Sequence, residues 1–176
     1  DAIGDNAKIS VNVTVATLQT EGFEEFLQQK IKNIDLQKAS ICLEITEQMA
    51  LRTDTDVENL LTRIRQMGYK LAIDDFSMGH TSLKYLQTSQ FDIVKLDGSI
   101  VKAMLNNSRS KEIIASIVYL SQSLGFSVLA EYVETEEQRN ELELIGCLEY
   151  QGYLFGQAVP LAYFTAAMRG RNNYKT

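Results

Sequence analysis

The sequence predicts an α/β protein built on a parallel sheet, and three observations predict it. Runs rich in β-branched residues alternate from end to end with segments whose apolar residues recur at helical spacing. The alternation yields six strands, each followed by a helix, and a helix is the usual crossover between parallel strands. Polar and charged residues gather at the C-terminal ends of those strands, where α/β barrels and open α/β sheets place their sites.

The elements follow in order. Ile9 to Val15 reads ISVNVTV and predicts the first strand. Phe23, Phe26, Leu27, Lys30 and Ile31 fall at helical spacing. Ile41 to Ile45, ICLEI, is the second strand. Asp54 or Thr55 caps a helix with the apolar face Val57, Leu60, Leu61, Ile64 and Met67, and Gly68 stops it. Leu71 to Ile73 is the third strand, and a loop with Gly79 then leads to a short helix around Leu83 and Leu86. Phe91 to Leu96 is strand-like, and the helix carrying Ile113, Ile114, Ile117, Val118, Leu120 and Leu124 ends at Gly125. Val128 to Ala130 is the fifth strand. Thr135 and Gln138 form a capping-box pattern opening the helix of Leu142 and Ile145. Tyr150 to Phe155 is the last strand, a final helix starts near Leu161, and the polar tail 169–176 is expected to fray.

Composition bounds the reading. The 176 residues are 45% hydrophobic and 23% charged, with one proline, which excludes collagen, low-complexity disorder and a disulfide-built miniprotein. No apolar run approaches a membrane span, and the first residues do not have the basic-plus-apolar pattern of a signal peptide. Net charge is −6, the opposite sign to a nonspecific nucleic-acid binder, so no DNA partner is expected. Cys42 and Cys147 lack metal-ligand spacing and read as buried thiols in a reducing compartment. The start at Asp1 is expected to mark a processed product or part of a longer chain.

At the strand ends stand Asn12 on the first strand, Glu44 and Glu47 on the second, and Asp74 and Asp75 on the third. Lys95 and Asp97 follow on the fourth, Glu131 and Glu134 on the fifth, and Gln151 opens the sixth. A buried strand has no structural use for such residues, since an unpaired buried charge is expensive. They are either separate ion pairs at loop starts or the lining of one shared cavity. Converging carboxylates repel, so they need protons or a cation. Carboxylates plus one amide oxygen suit hard ions such as Mg²⁺ or Mn²⁺, and no histidine or cysteine is there for zinc. Two such ions roughly 3.5–4 Å apart would clamp a phosphodiester and activate water. Lys95 fits as a group that orients that water or stabilises negative charge.

The segments SVNVT, LEITE, AIDDF, VKLD, AEYVET and YQGYLFG occur in the order of the EAL domain, and the chain resembles that family from about Ile9 to Phe164. The family consists of bacterial phosphodiesterases acting on cyclic di-GMP. The resemblance implies a TIM-type (β/α) barrel, incomplete at its N-terminus with six of its strands present, and residues 1–176 as a partial EAL domain. It implies two divalent metals and hydrolysis of cyclic di-GMP to linear pGpG. Position by position, it gives Asn12, Glu44 and Asp74 to one metal, and Asp74 and Asp75 to the other, with Glu131 beside them. Lys95 resembles the lysine that holds the attacking water, Glu47 the glutamate that anchors the loop after Asp75, and Gln151 the glutamine at the site's edge. Asp97 and Glu134 take supporting places. The resemblance further implies a bacterial cytoplasmic location, alone or as the cytoplasmic part of a membrane-anchored protein. A diguanylate cyclase-like or sensory domain upstream is a possible companion.

Some positions depart from the family pattern. The loop after Asp75 reads FSMGHTSL where the family commonly has FGTGYSSL, so Ser77, Met78 and His80 differ. In the family this loop couples dimerisation to metal binding. His80, the only histidine, reads as a polar loop residue with no catalytic part. Gly98 stands where an arginine is frequent, and Tyr132 where a glycine is frequent. Tyr132 either stacks on a guanine or packs. The Glu-Ala-Leu strand that names the family has no counterpart here, and its glutamate would be a metal ligand. The chain alone is therefore expected to be weak or inactive, the intact domain active. The strands of Asn12 and Gln151 are expected to present open edges that pair in a homodimer or a swap. The alternative is a noncatalytic module that binds cyclic di-GMP or a protein partner.

Overall fold

The computed structural model describes residues 7–35, 39–50, 55–76 and 90–164. Among them, six parallel strands form one sheet in sequence order: β1 (Ala7–Asn12), β2 (Ala39–Thr46), β3 (Lys70–Phe76), β4 (Ile93–Leu96), β5 (Ser127–Ala130) and β6 (Glu149–Tyr150). Between them lie α1 (Val15–Leu18), α2 (Phe23–Ile31), α3 (Glu47–Ala50), α4 (Thr55–Gln66), α5 (Gly98–Ala103), α6 (Ser108–Leu124) and α7 (Glu136–Ile145). A helical turn at 161–164 follows.

Sequential order with helical crossovers is the topology of a barrel wall. A flat sheet of six strands would hold its edges about 24 Å apart, five spacings of roughly 4.8 Å. Here Lys8 on β1 reaches Glu149 on β6 at 2.8 Å, so the sheet is curled into an arc. Along each strand alternate side chains face opposite sides. Leu43, Ile45, Leu71, Ile73, Val94, Leu96, Val128 and Ala130 share one phase and are buried in the core. That core includes Leu61 and Ile64 of α4, Ile114 and Ile117 of α6 and Leu142 of α7. The other phase lines the concave face, where Ser10, Cys42, Lys70, Ile93, Leu129 and Glu149 surround a cavity of about 530 Å³.

Several boundaries differ from the sequence reading. The first strand stops at Asn12 because Thr14 caps α1, its hydroxyl accepting from the Thr17 N–H, so Val15 is helical. The last strand is only two residues long, and Gln151 follows it instead of opening it. The chain then turns, with the Phe155 N–H donating to the Gly152 carbonyl, and Phe155 stacks on Tyr150 at 5.9 Å. The helix α5 was not expected; Asp97 caps it by accepting from the Ser99 N–H at 2.9 Å. The capping box of α7 is formed as expected. Asp54, the loop from Ser77 through His80, the helix around Leu83 and Leu86, and the tail 169–176 lie outside the described residues. No helix among the described residues is long and apolar enough to cross a membrane.

The capping box gives a first prediction. Thr135→Ala leaves the Gln138 N–H at the start of α7 without its side-chain partner, and should cost about 1 kcal/mol. Denaturant unfolding should show that loss at an unchanged m-value; an unchanged midpoint would remove the cap from the stabilising contacts.

Candidate metal and phosphodiester site

The concave-face phase runs upward from the cavity to the C-terminal strand ends. Continuing it leads to Asn12 after Ser10, Glu44 after Cys42, Asp74 after Ala72, Lys95 after Ile93, Glu131 after Leu129 and Gln151 after Glu149. Period two therefore aims six polar side chains at one mouth. Asn12 lies directly opposite Glu44 in the strand register.

The centre of the mouth is Lys95. Its Nζ donates to Glu44 Oε2 at 2.7 Å and to Asp74 Oδ1 at 2.7 Å, and lies 2.8 Å from Glu131 Oε1. Its side chain is 4% exposed, and the three acids are nearly as deep. Burial works against the lysine's charge. Hydrogen bonds to Asp74, Glu131 and Glu44 outweigh it and hold the ammonium above its ordinary value. Lys95 is thus a fixed cation and hydrogen-bond donor, not a base.

Asp75 would point to the helix side if β3 stayed regular. Its φ of 56° and the register shift between Ile73 and Phe76 break the alternation there. Such a bulge re-aims a side chain. One carboxylate oxygen each from Asp74, Asp75 and Glu131 then lies within 4.8 Å of the others. The crowding is visible in their acidity. Burial raises the pKa of Asp75, and Asp74 and Asp97 raise it further. Burial also raises that of Glu131, with Lys95 opposing. If all ionise, Glu44, Asp74, Asp75 and Glu131 set four negative charges against one ammonium.

The structure brings some expected residues together and sets others apart. Glu44, Asp74, Asp75, Lys95 and Glu131 gather at the mouth, and Asn12 stands exposed opposite Glu44 in the register. Glu47 is buried at the first position of α3, and the loop it was expected to anchor lies outside the described residues. Gln151 is exposed beside Glu131, held by its N–H on the Ala130 carbonyl at 2.8 Å. Gly152 lets the chain pass there, because a Cβ would sit 2.2 Å from the Val133 carbonyl oxygen. Asp97 is half-buried and occupied as the cap of α5. Glu134 faces outward and pairs with Lys102 at 3.3 Å. Cys42 and Cys147 are buried free thiols pushed up to about 12 and about 11, chiefly by burial, so neither supplies a thiolate.

Sequence reasoning missed the setting of Tyr132. It follows Glu131 with a φ of 53°, its ring lies against Gly98, and Lys102 Nζ stands 5.3 Å from the ring centroid. Bulky residues rarely adopt that backbone, which costs on the order of 1–3 kcal/mol. The A-E-Y-V segment in place of a glycine was the available signal.

The donor set is all hard oxygen, which suits Mg²⁺ or Mn²⁺. A cation would favour the ionised acids that burial, and then mutual repulsion, disfavour at Asp75 and Glu131. Comparison with known proteins agrees. A sequence profile described as the EAL domain matches residues 1–158. The cyclic di-GMP phosphodiesterase PdeB of Shewanella oneidensis is 33% identical over 156 residues, which are 89% of this chain and 18% of that protein. The cyclic di-GMP phosphodiesterase RocR of Pseudomonas aeruginosa is 35% identical over 162 residues, 92% of this chain and 41% of that one. The chain thus spans less than half the length of either relative. Klebsiella pneumoniae BlrP1, solved as a manganese and cyclic di-GMP complex, superposes with a TM-score of 0.77 at 28% identity, over 85% of this chain and 38% of that one.

The Lys95 cluster makes a stability prediction. Lys95→Met removes the ammonium that Glu44, Asp74 and Glu131 share, and in chelator should destabilise the protein by about 3–5 kcal/mol. Millimolar Mn²⁺ should recover a large part of that loss. Equal thermal midpoints for variant and wild type in chelator would show that the acids do not depend on Lys95.

Proposed function

This chain belongs to the EAL domain family, and on that premise we propose that it is a metal-dependent phosphodiesterase opening cyclic di-GMP to linear pGpG. The observation that carries the reading is the buried Lys95 ammonium, within 2.8 Å of acids from three other strands and beside the Asp74, Asp75 and Glu131 cluster. Isolated surface ion pairs would not converge on one lysine.

Asn12, Glu44 and Asp74 would hold one divalent ion, and Asp74, Asp75 and Glu131 a second. Bound there, the ions supply charge neutralisation at the phosphodiester and a lowered pKa for the attacking water. The chain's own groups do the positioning. Lys95, protonated, donates to that water or to the phosphoryl oxygens as negative charge develops on them. Glu44, Asp74 and Glu131 hold the ammonium in place, and an acid drawn onto a metal would release one of its three N–H bonds for that donation. Water forms one new P–O bond, the P–O3′ bond breaks, and the leaving 3′ oxygen takes a proton. The product keeps a 5′ phosphate. Gln151, exposed at the edge, is placed to contact the nucleotide rather than the reacting phosphorus.

The test is hydrolysis followed by chromatography. With Mg²⁺ or Mn²⁺, the intact protein should convert cyclic di-GMP to pGpG, and excess chelator should stop it. Glu131→Gln keeps the side-chain shape and should lower turnover about 100-fold or more, the scale of a lost charged group at a reacting centre, with an unaltered circular dichroism spectrum. Tight binding of the nucleotide by wild type with no pGpG formed would overturn the catalytic reading in favour of a binding module.

A further inference from the structure

Tyr132 buries less than half of its surface, with 55% exposed, so burial in the core does not account for a tyrosine there. Its backbone is one that glycine adopts freely and bulky residues rarely do. Strain of this kind persists when the surroundings over-determine it, and it clusters at sites of function. The surroundings here are specific. A Cβ on Gly98 would lie 2.4 Å from Tyr132 Cδ2 and 2.6 Å from Cγ, so the ring fills the space that any side chain at position 98 would need. Lys102 is one turn further along α5, on the same face, and its ammonium covers one face of the ring. Lys102 is in turn held by Glu134.

The ring is therefore clamped, and its exposed remainder lines a cavity of about 240 Å³. The same cavity is lined by Glu131 of the acidic cluster, by Gln151, and by a second exposed aromatic, Tyr153. In a nucleotide the base stands one sugar away from the phosphate. A phosphodiester at the acidic cluster would thus carry its base to the residues adjoining Glu131, and Tyr132 is the next residue.

Resting on the phosphodiesterase reading, we propose that Tyr132 is a specificity-determining residue whose ring stacks on a guanine base of the cyclic dinucleotide, and that the absence of a side chain at Gly98 is what holds the ring in position. A tyrosine suits the task because it offers a flat, rigid surface with only two torsions to fix. Base–aromatic stacking accounts for roughly 5- to 150-fold in affinity.

The chain has no tryptophan, which gives a direct test. Tyr132→Trp introduces a sole reporter at the position in question. Mixing with cyclic di-GMP in Mn²⁺ should quench its emission within the binding phase, before turnover, because a stacked guanine is an efficient quencher. Tyr132→Gly should raise the Kd for cyclic di-GMP about tenfold while the thermal midpoint holds or rises, since it relieves the backbone strain. Tyr132→Phe, which keeps the ring, should recover most of the lost affinity. Gly98→Ala should weaken binding about tenfold in wild type and have no further effect in the Tyr132→Gly background, because the clash has gone. An unquenched tryptophan, or a Tyr132→Gly protein that binds as wild type does, would overturn the stacking role while leaving the phosphodiesterase reading in place. A wild-type protein that neither binds nor cleaves cyclic di-GMP would overturn both.

Discussion

One buried lysine organises the mouth of this sheet. Lys95 sits on β4, and its three acidic neighbours come from β2, β3 and β5. Parallel pairing brings the ends of these neighbouring strands to one rim, but each acid would be costly to bury there by itself. A single ammonium makes their convergence possible, and it ties four strands together at the end where loops leave them. Because the acids outnumber it, the same cluster keeps a standing demand for further positive charge. Structure and ligand affinity arise from one imbalance.

The parallel sheet makes that imbalance cheap to specify. All strands point the same way, so the residues that alternate with the core-facing ones arrive at the same rim where the strands end. Asp75 is the exception, and it needs a bulge with φ in the left-handed region to join residues of the opposite phase. The mouth therefore contains two strained non-glycine residues, Asp75 and Tyr132, each just after the last regular ladder position of its strand. Strain at these two places lies where a ligand would be held, and away from the core, whose Ile45, Leu71, Val94 and Ala130 are fully buried without it.

Much of this was legible in the chain itself. Strand order, crossover helices and the acids at strand ends follow from periodicity, because side-chain phase in a strand is a counting matter. Boundaries were less legible. Thr14 could be read as one more β-branched residue, and only its capping bond to Thr17 ends β1 early. The last strand reads as six residues because Tyr150, Tyr153 and Phe155 are residue types that strands favour. The close approach of Gly152 to the Val133 backbone turns the chain after two. The partnership of Gly98 with Tyr132 was illegible in principle: the two lie 34 positions apart, and nothing in either local sequence refers to the other. In the sequence each is a separate oddity, and only tertiary contact makes them one feature.

The opposite end of the sheet shows what an ion cluster built for stability looks like. There Asp92 accepts from the Leu71 N–H at 3.0 Å, from Arg65 at 3.1 Å and from Lys70 at 3.1 Å. Burial pushes its pKa up, yet these donors prevail and hold it below the ordinary carboxylate value. One acid has two cations and a backbone amide, and nothing further is required. At the mouth the ratio is inverted among the described residues, with four acids to one cation, and Asp75 and Glu131 are shifted upward instead, first by burial. Asp92 is half-buried with exposed cations while the Lys95 group lies deeper, yet burial raises the acids in both clusters and both join separate elements, so neither desolvation nor connectivity sets their directions apart. The balance of charge does. In barrels the C-terminal rim carries chemistry and the N-terminal rim carries stability, and in this chain that division can be read from which end leaves its carboxylates short of partners.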